Sequence, residues 1–208
     1  MKSINLQELK KELDNDLKKQ VVSGRVLLDR FDMIDESSRK SPSYCDPNYA
    51  GFYYHLGKKL KPLSLLEFGF DLGLFPACFL ISCKSVKRFY GFRIDDGNYF
   101  SSRIGARNVK KSYKGEAKYH FGKIYDGVFD ESLNKNWDMV IFAFEDKYDK
   151  QMEYFEYVWP HINENGIMVC ENISRHEPTK QAFDAFSYSK NREAIFFGTR
   201  HGTYLLQK

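Results

Sequence analysis

The sequence predicts an α/β protein with a doubly wound, mostly parallel sheet that closes in a C-terminal antiparallel hairpin. Short apolar runs that suit buried strands alternate with longer stretches of helical periodicity. The run 137–144 (WDMVIFAF) is almost continuously apolar, as a central strand covered on both faces should be. Two short apolar runs around Arg200-His201-Gly202 predict the terminal hairpin.

Composition narrows the class of protein further. The chain has 208 residues, of which 42% are hydrophobic, so it is long enough for one domain with a sizeable core. Its net charge of +4 is mild and no Lys/Arg block dominates one stretch, so we expect no nucleic-acid partner. Four cysteines without CxxC spacing argue against a disulfide scaffold, and no apolar run reaches membrane-spanning length. We therefore expect a cytoplasmic protein without a membrane partner.

The N-terminal region is predicted to be a helical arm followed by a loop, over residues 1–44, and the main domain is predicted over 45–208. Apolar residues recur at helical spacing over 4–22, which predicts an amphipathic helix that packs on the domain. A dimerising helix, and so a homodimer, is the alternative. Residues 35–50 are polar and rich in turn formers, so a loop is expected there, with a short helix over 51–60.

The elements of the main domain follow in order from residue 63. Strands are predicted at 63–68, 88–94, 117–121, 137–144 and 166–170, and hairpin strands at 194–198 and 203–206. Helices are predicted at 75–83, from the end of the second strand to about 111, at 149–159 and at 179–187. Pro76 suits the first turn of its helix, where a missing N–H costs nothing.

The loop after the first strand is the first candidate site. In doubly wound sheets, ligands bind beyond the carboxyl ends of the strands, where the strand order reverses. Here the loop reads Glu67-Phe68-Gly69-Phe70-Asp71-Leu72-Gly73, and its glycines allow a tight turn and a close approach to a ligand. The dinucleotide fingerprint G-x-G-x-x-G is absent, so this loop gives little support to a pyrophosphate site.

The E-x-G-x-x-x-G pattern of this loop resembles motif I of class I S-adenosylmethionine-dependent methyltransferases. The spacing is most similar to the branch of catechol O-methyltransferase and related small-molecule O-methyltransferases. Further similarities follow in the family's order over roughly residues 45–208: LLEFG at 65–69, YGF at 90–92, WDMVIF at 137–142, WPHINENGIMV at 159–169, Glu171-Asn172, and TRHGTYLL at 199–206.

The resemblance implies a Rossmann-like fold and O-methylation of a small-molecule or sugar acceptor with S-adenosylmethionine as cofactor. It places Glu67, Gly69, Phe70, Asp71 and Gly73 at the methionine end of the cofactor, and Tyr125 and Asp126 near the adenine. A catalytically degenerate binding protein on the same fold is the alternative. An RNA methyltransferase, suggested by the basic run 58–61, ranks lowest.

The chain departs from the family at the ribose position. The family carries an acidic residue at the end of the second strand, whose carboxylate accepts hydrogen bonds from the ribose hydroxyls. Here the aligned residue is Arg93. Asp95, two residues on, or Asp96 could replace that carboxylate. Alternatively, Arg93 pairs with a surface carboxylate, or it reads an anionic group of a different ligand.

A second departure falls on the metal site of that branch. Ala143 stands where an aspartate normally follows the fourth strand, and it has no oxygen to offer. Asp146, Glu171 and Asn172 could supply three ligands to Mg²⁺ or Ca²⁺ if Asp146 turned inward, although a weakened or lost site is favoured. The same three residues are the candidate catalytic groups, together with His176 as general base for a reaction without a metal ion.

Overall fold

A computed structural model describes residues 1–19, 30–32, 47–93, 100–121 and 133–208. Seven strands form one sheet in the order β3-β2-β1-β4-β5-β7-β6. The strands are β1 (Ser64–Phe68), β2 (Arg88–Arg93), β3 (Glu116–Phe121), β4 (Trp137–Phe142), β5 (Ile162–Glu171), β6 (Ile195–Phe197) and β7 (Thr203–Gln207). Strands β1 to β5 pair in parallel, and β7 is antiparallel to both of its neighbours. The predicted fold class, a doubly wound sheet with a terminal antiparallel hairpin, is confirmed.

Helices connect the strands and cover both faces of the sheet. In the described ranges they are α1 (Leu6–Lys19), α2 (Pro47–Lys59), α3 (Leu74–Ser82), α4 (Phe100–Ser112), α5 (Tyr148–Val158) and α6 (Glu177–Ser189), with a short 3-10 turn at Trp159–His161 before β5. None of these helices combines the length and the apolar character that crossing a bilayer requires.

The core consists of two apolar layers, one on each side of the sheet. Successive side chains of a strand point to opposite faces. In β1, Leu65 belongs to the layer under α2 and α3, whereas Leu66 belongs to the layer under α5 and α6. The buried stripe of α1 (Leu6, Leu9 and Leu13) joins the first layer, as the amphipathic pattern predicted.

Two predicted boundaries were wrong by four residues. Residues 47–50 are helical rather than part of a loop, because Pro47 begins α2 and a proline in the first helical turn lacks only an N–H that would have no partner there. Strand β5 begins at Ile162, four residues before the predicted start at Gly166. Its polar first half includes Asn165 in the left-handed region (φ 60°), and the pairing with β4 shifts between Trp137 and Met139. An irregular, polar strand start of this kind has no continuous apolar run, so the sequence pattern does not predict it.

The sheet order places one crevice at its centre. The chain runs outward from β1 through β2 to β3 on one side, then returns to β4 on the other side of β1. The carboxyl ends of β1 and β4 therefore flank the topological switch point, where doubly wound folds bind their ligands. Glu67 and the Gly69–Gly73 turn lie at this point.

Candidate functional site

Two buried glutamates share one face of the sheet at the switch point. Glu67 of β1 is in register with Ile141 of β4, which pairs with Val169 of β5. Glu171 follows Val169 by two residues and so points to the same side as Glu67. Ala143, just beyond β4, borders the same space, and its methyl group leaves room where a larger side chain would fill it.

Two adjoining cavities are bordered by residues of the Gly69–Gly73 turn. The first, of about 180 Å³, is bordered by both glutamates, Asn172 and the turn; we call it the glutamate cavity. The second, of about 520 Å³, is bordered by Arg93, Asp146 and the turn; we call it the arginine cavity. Gly69, Asp71 and Ala143 border both cavities, so the two adjoin. Together they fall in the size range of sites for cofactor-sized ligands.

The glycines of the turn are required by contacts within the protein. Gly69 has a φ of 92°, and a β-carbon there would lie 2.5 Å from the Ala143 carbonyl oxygen. Gly73 has a φ of 62°, and a β-carbon there would lie 2.8 Å from the Gly105 carbonyl oxygen. The N–H groups of Gly69 and Phe70 both donate to the Phe92 carbonyl at 2.9 Å. The turn is thus fixed against β2, β4 and α4.

Phe70 borders the arginine cavity, but its ring belongs to the core. The ring is fully buried and contacts Phe89 and Tyr119, with centroid distances of 5.9 and 5.3 Å. It also covers Gly91, where a β-carbon would approach it to 2.9 Å. The side chain therefore supports the turn from beneath.

Burial dominates the electrostatics of the two glutamates. One oxygen of each carboxyl, Oε2 of Glu67 and Oε1 of Glu171, is buried without a hydrogen-bond partner among the described residues. Burial, with a smaller contribution from Asp71, holds the pKa of Glu67 well above its usual range. Burial alone raises the pKa of Glu171 to about 8. The glutamate cavity therefore carries two carboxyls that favour the neutral acid until a cation or a hydrogen-bond donor reaches them.

Arg93, the residue at the ribose position, is engaged with the turn. Its Nη1 donates to Oδ1 of Asp71 at 2.7 Å and to the hydroxyl of Ser101 at 2.8 Å. The side chain of Arg93 is 16% exposed and that of Asp71 47% exposed. The sequence left several roles open for Arg93. Among the described residues, the structure shows one of them, the pairing of Arg93 with a carboxylate. Asp95 lies outside them, as do Asp96, Tyr125 and Asp126.

The predicted cation ligands do not converge in the described part of the chain. Asp146 borders the arginine cavity, whereas Glu171 and Asn172 border the glutamate cavity. Oδ1 of Asp146 accepts a hydrogen bond from the N–H of Lys147 at 2.7 Å. No group of three His, Cys, Asp or Glu side chains is placed to hold a metal ion among the residues described. The two carboxyls of the predicted set border different, adjoining cavities, and the cation site stays a prediction.

Two further candidate site residues, Asn172 and His176, have roles in the local backbone structure. Asn172 is in the left-handed region (φ 65°), which asparagine tolerates better than most residues, and its carbonyl accepts from the N–H of Arg175. His176 is the N-cap of α6: its Nδ1 lies 2.8 Å from the Thr179 hydroxyl and accepts from the Thr179 N–H. His176 borders neither cavity.

Three polar residues of the glutamate cavity were missed by the sequence analysis. Tyr49 comes from α2, Arg175 from the loop after β5, and His201 from the turn between β6 and β7. The side chain of Arg175 also reaches Glu145 of the arginine cavity, with Nε 3.2 Å from Oε1. Of these three, the sequence could have indicated Arg175 by its position, because the loop after β5 also lies at the carboxyl edge of the sheet.

Comparison with known proteins gives a structural likeness without a sequence match. No protein-family model matches the chain, and no curated protein matches its sequence. Among solved structures, the fold is similar to the SAH-bound methyltransferase PaMTH1 of Podospora anserina, at 13% identity over 99% of this chain and 97% of that one, with a TM-score of 0.62.

Two bacterial enzymes are similar over almost their whole length. The O-methyltransferase of Bacillus cereus, in complex with SAH, is 12% identical over 97% of each chain, with a TM-score of 0.60. The O-methyltransferase TomG of Streptomyces achromogenes, in complex with SAM, is 14% identical over 95% of this chain and 97% of that one, with a TM-score of 0.57. This chain therefore has the Rossmann-like fold of the class I S-adenosylmethionine-dependent methyltransferases.

Proposed function

We propose that this protein binds S-adenosylmethionine and transfers its methyl group to an oxygen of a small-molecule acceptor. The observation that carries the proposal is Glu67, a buried carboxyl with an unpartnered oxygen, at the switch point and beside a glycine turn. A buried acceptor of this kind costs folding free energy unless a ligand supplies the missing partner. The ligands of the similar folds, SAH and SAM, each carry an ammonium group that could do so.

The residues of the chain divide between holding the cofactor and preparing the acceptor. Glu67 would accept hydrogen bonds from the ammonium group of the cofactor, and the Gly69–Gly73 turn would run along its methionine and ribose parts. When bound, the cofactor would supply an electrophilic methyl group on a sulfonium sulfur; the aligned acceptor oxygen would bond to the methyl carbon as the carbon–sulfur bond breaks, with neutral SAH as the leaving group. Ala143 leaves the space between the two glutamates in which donor and acceptor would meet.

Glu171 is the general base in this proposal, in preference to His176. It borders the glutamate cavity, and its pKa of about 8 lies close to neutral pH, where a base both collects and releases protons efficiently. The ring of His176 is engaged as the cap of α6. The carboxylate of Glu171 would take the proton of the acceptor hydroxyl, and Asn172 and His201, which border the same cavity, would orient that hydroxyl.

Binding is tested first, by calorimetry with SAH and with 5′-deoxy-5′-methylthioadenosine, which lacks the amino-acid part. We expect the wild type to bind SAH. Glu67→Gln should weaken SAH binding about tenfold or more and leave methylthioadenosine binding unchanged, since only SAH carries the ammonium group. An exposed glutamate, Glu164→Gln, is the control. Absence of SAH binding by the wild type at millimolar ligand would contradict the proposal.

Turnover is tested separately, with radiolabelled methyl on S-adenosylmethionine and a panel of phenols, catechols and sugars. With an acceptor that reacts, kcat/KM should rise about tenfold per pH unit below about 8 and level off above it, because the Glu171 carboxylate is the active form. Glu171→Gln should remove most of the activity and flatten this profile. A profile unchanged by Glu171→Gln would exclude Glu171 as the base.

A binding protein without catalysis is the second candidate. Two observations favour it: the predicted cation ligands lie in separate cavities, and the residue between the glutamates is an alanine. Such a protein should bind SAH with the same dependence on Glu67 and transfer no methyl group to any acceptor of the panel. Its biological role should also survive Glu171→Gln.

A further inference from the structure

We propose that Asp71, held in place by Arg93, is the carboxylate that recognises the ribose of the bound nucleoside. This inference rests on the proposed function, since it concerns the cofactor's ribose. It assigns to the turn between β1 and α3 a role that the sequence analysis sought at the end of β2.

A ribose presents two neighbouring hydroxyls, and a carboxylate that accepts from both is their best match in charge and geometry. At the end of β2 the chain carries Arg93, a side chain with donors alone. Nη1 of the guanidinium donates to the Asp71 carboxylate and to the Ser101 hydroxyl, both within the protein. Arg93 instead fixes a carboxylate at the wall of the arginine cavity.

Asp71 has the properties that a ribose acceptor requires. Oδ1 is occupied by the 2.7 Å ion pair with Arg93. No other hydrogen bond or ion pair reaches this carboxylate from the described residues, so Oδ2 keeps its full capacity as an acceptor. The Asp71 side chain is about half exposed and borders both cavities. A cofactor that spans the two cavities would place its ribose, which lies between the methionine and adenine parts, next to this carboxylate.

Arg93 restricts the carboxylate to one position. It is itself anchored to Ser101 in the first turn of α4, and the neighbouring Ser102 hydroxyl donates to the Phe70 carbonyl at 3.2 Å. The turn that carries Asp71 is thus tied to β2 and α4 on both sides of the residue. A pre-positioned acceptor binds with a smaller loss of side-chain entropy than a free one. Arg93 is therefore a positioning residue, and Asp71 is the residue that contacts the ligand.

The other acids of the arginine cavity are less suited to this role. Glu145 is paired with Arg175, with Nε 3.2 Å from Oε1. Oδ1 of Asp146 accepts a hydrogen bond from the N–H of Lys147, and this residue borders the cavity from the loop after β4. Asp146 therefore provides a matched control, because it is an aspartate of the same cavity without the support of Arg93.

The test compares SAH with its 2′,3′-dideoxy analogue, which lacks both ribose hydroxyls, by calorimetry on the full chain. The wild type should bind SAH at least about tenfold more tightly than the analogue. Asp71→Asn should weaken SAH binding about tenfold and leave the affinity for the analogue unchanged, so that the discrimination disappears. Arg93→Gln should reduce the discrimination in part, and Asp146→Asn should preserve it. Thermal unfolding checks that each variant is folded.

Two results would overturn the inference while the proposed function survives. One is an Asp71→Asn variant whose affinities for SAH and for the analogue fall by the same factor, or do not change at all. The other is an Asp95→Asn variant that removes the discrimination while Asp71→Asn keeps it. A wild type that binds neither SAH nor the analogue would overturn the proposed function itself, and the inference with it.

Discussion

Replacing Glu171 with glutamine removes a buried carboxyl whose protonation is coupled to folding. Glutamine keeps the size and the neutral charge of the protonated acid. In the folded chain the pKa of Glu171 is about 8, against an ordinary value of 4.5. Between these values the folded protein holds a proton that the unfolded chain has released. The free energy of unfolding of the wild type therefore falls as pH rises through this range, whereas the variant lacks this contribution.

The size of the effect follows from the two pKa values. One pKa unit corresponds to about 1.4 kcal/mol, so the destabilising contribution of Glu171 is about 1 kcal/mol at pH 5 and about 3 kcal/mol at pH 7. It approaches about 5 kcal/mol at pH 9, above the folded pKa, and then stays constant. Relative to the wild type, Glu171→Gln should thus gain about 2 kcal/mol between pH 5 and pH 7, and more by pH 9.

Urea denaturation followed by tryptophan fluorescence at pH 5, 7 and 9 measures this difference directly. Glu164→Gln is the control, because Glu164 lies on the same strand with its side chain exposed. Its difference from the wild type should stay constant across the three pH values. A constant difference for Glu171→Gln as well would refute the reasoning, since a carboxyl that titrates normally in the folded state gives no such divergence.

Two further predictions concern residues whose role the structure assigns to the backbone. Gly69→Ala should lower the free energy of unfolding by about 2 kcal/mol or more, because the new methyl group meets the Ala143 carbonyl at a φ that favours glycine; Gly198→Ala, with open space around it, should change it by less than about 1 kcal/mol in urea denaturation. His176→Ala should cost about 1 kcal/mol through loss of the α6 cap and leave SAH affinity unchanged in calorimetry. A large loss of affinity in His176→Ala would return this residue to the site.

The sequence allowed the architecture to be predicted because its signals are local. Apolar runs such as 65–68 and 137–142 report burial on both faces, and the order of strands and helices restricts the topology. The polar start of β5 escaped prediction because polar residues at 163–165 interrupt the apolar run, and Asn165 lies in the left-handed region, outside regular strand geometry. Pro47 starts a helix, although the polar, turn-rich residues before it predict a loop.

The candidate site was predictable only where position along a strand decides it. Glu67 and Glu171 stand at the ends of strands, so their placement at the carboxyl edge follows from the topology. Arg93 and Asp71 are 22 positions apart and meet only through the tertiary structure, so the spacing of these residues in the sequence does not predict that they pair. His201 reaches the glutamate cavity from a hairpin at the far end of the chain, for the same reason.

In the proposed function, the buried carboxyl of Glu67 binds the ammonium group of an S-adenosyl ligand. Because burial favours the neutral acid and an adjacent cation favours the carboxylate, binding should release a proton. Calorimetry of SAH binding at pH 7 in two buffers of different ionisation enthalpy measures that release. We expect the heat of binding to depend on the buffer for the wild type and to depend on it less for Glu67→Gln. Heats that are identical in both buffers, or proton release that survives Glu67→Gln in full, would contradict it.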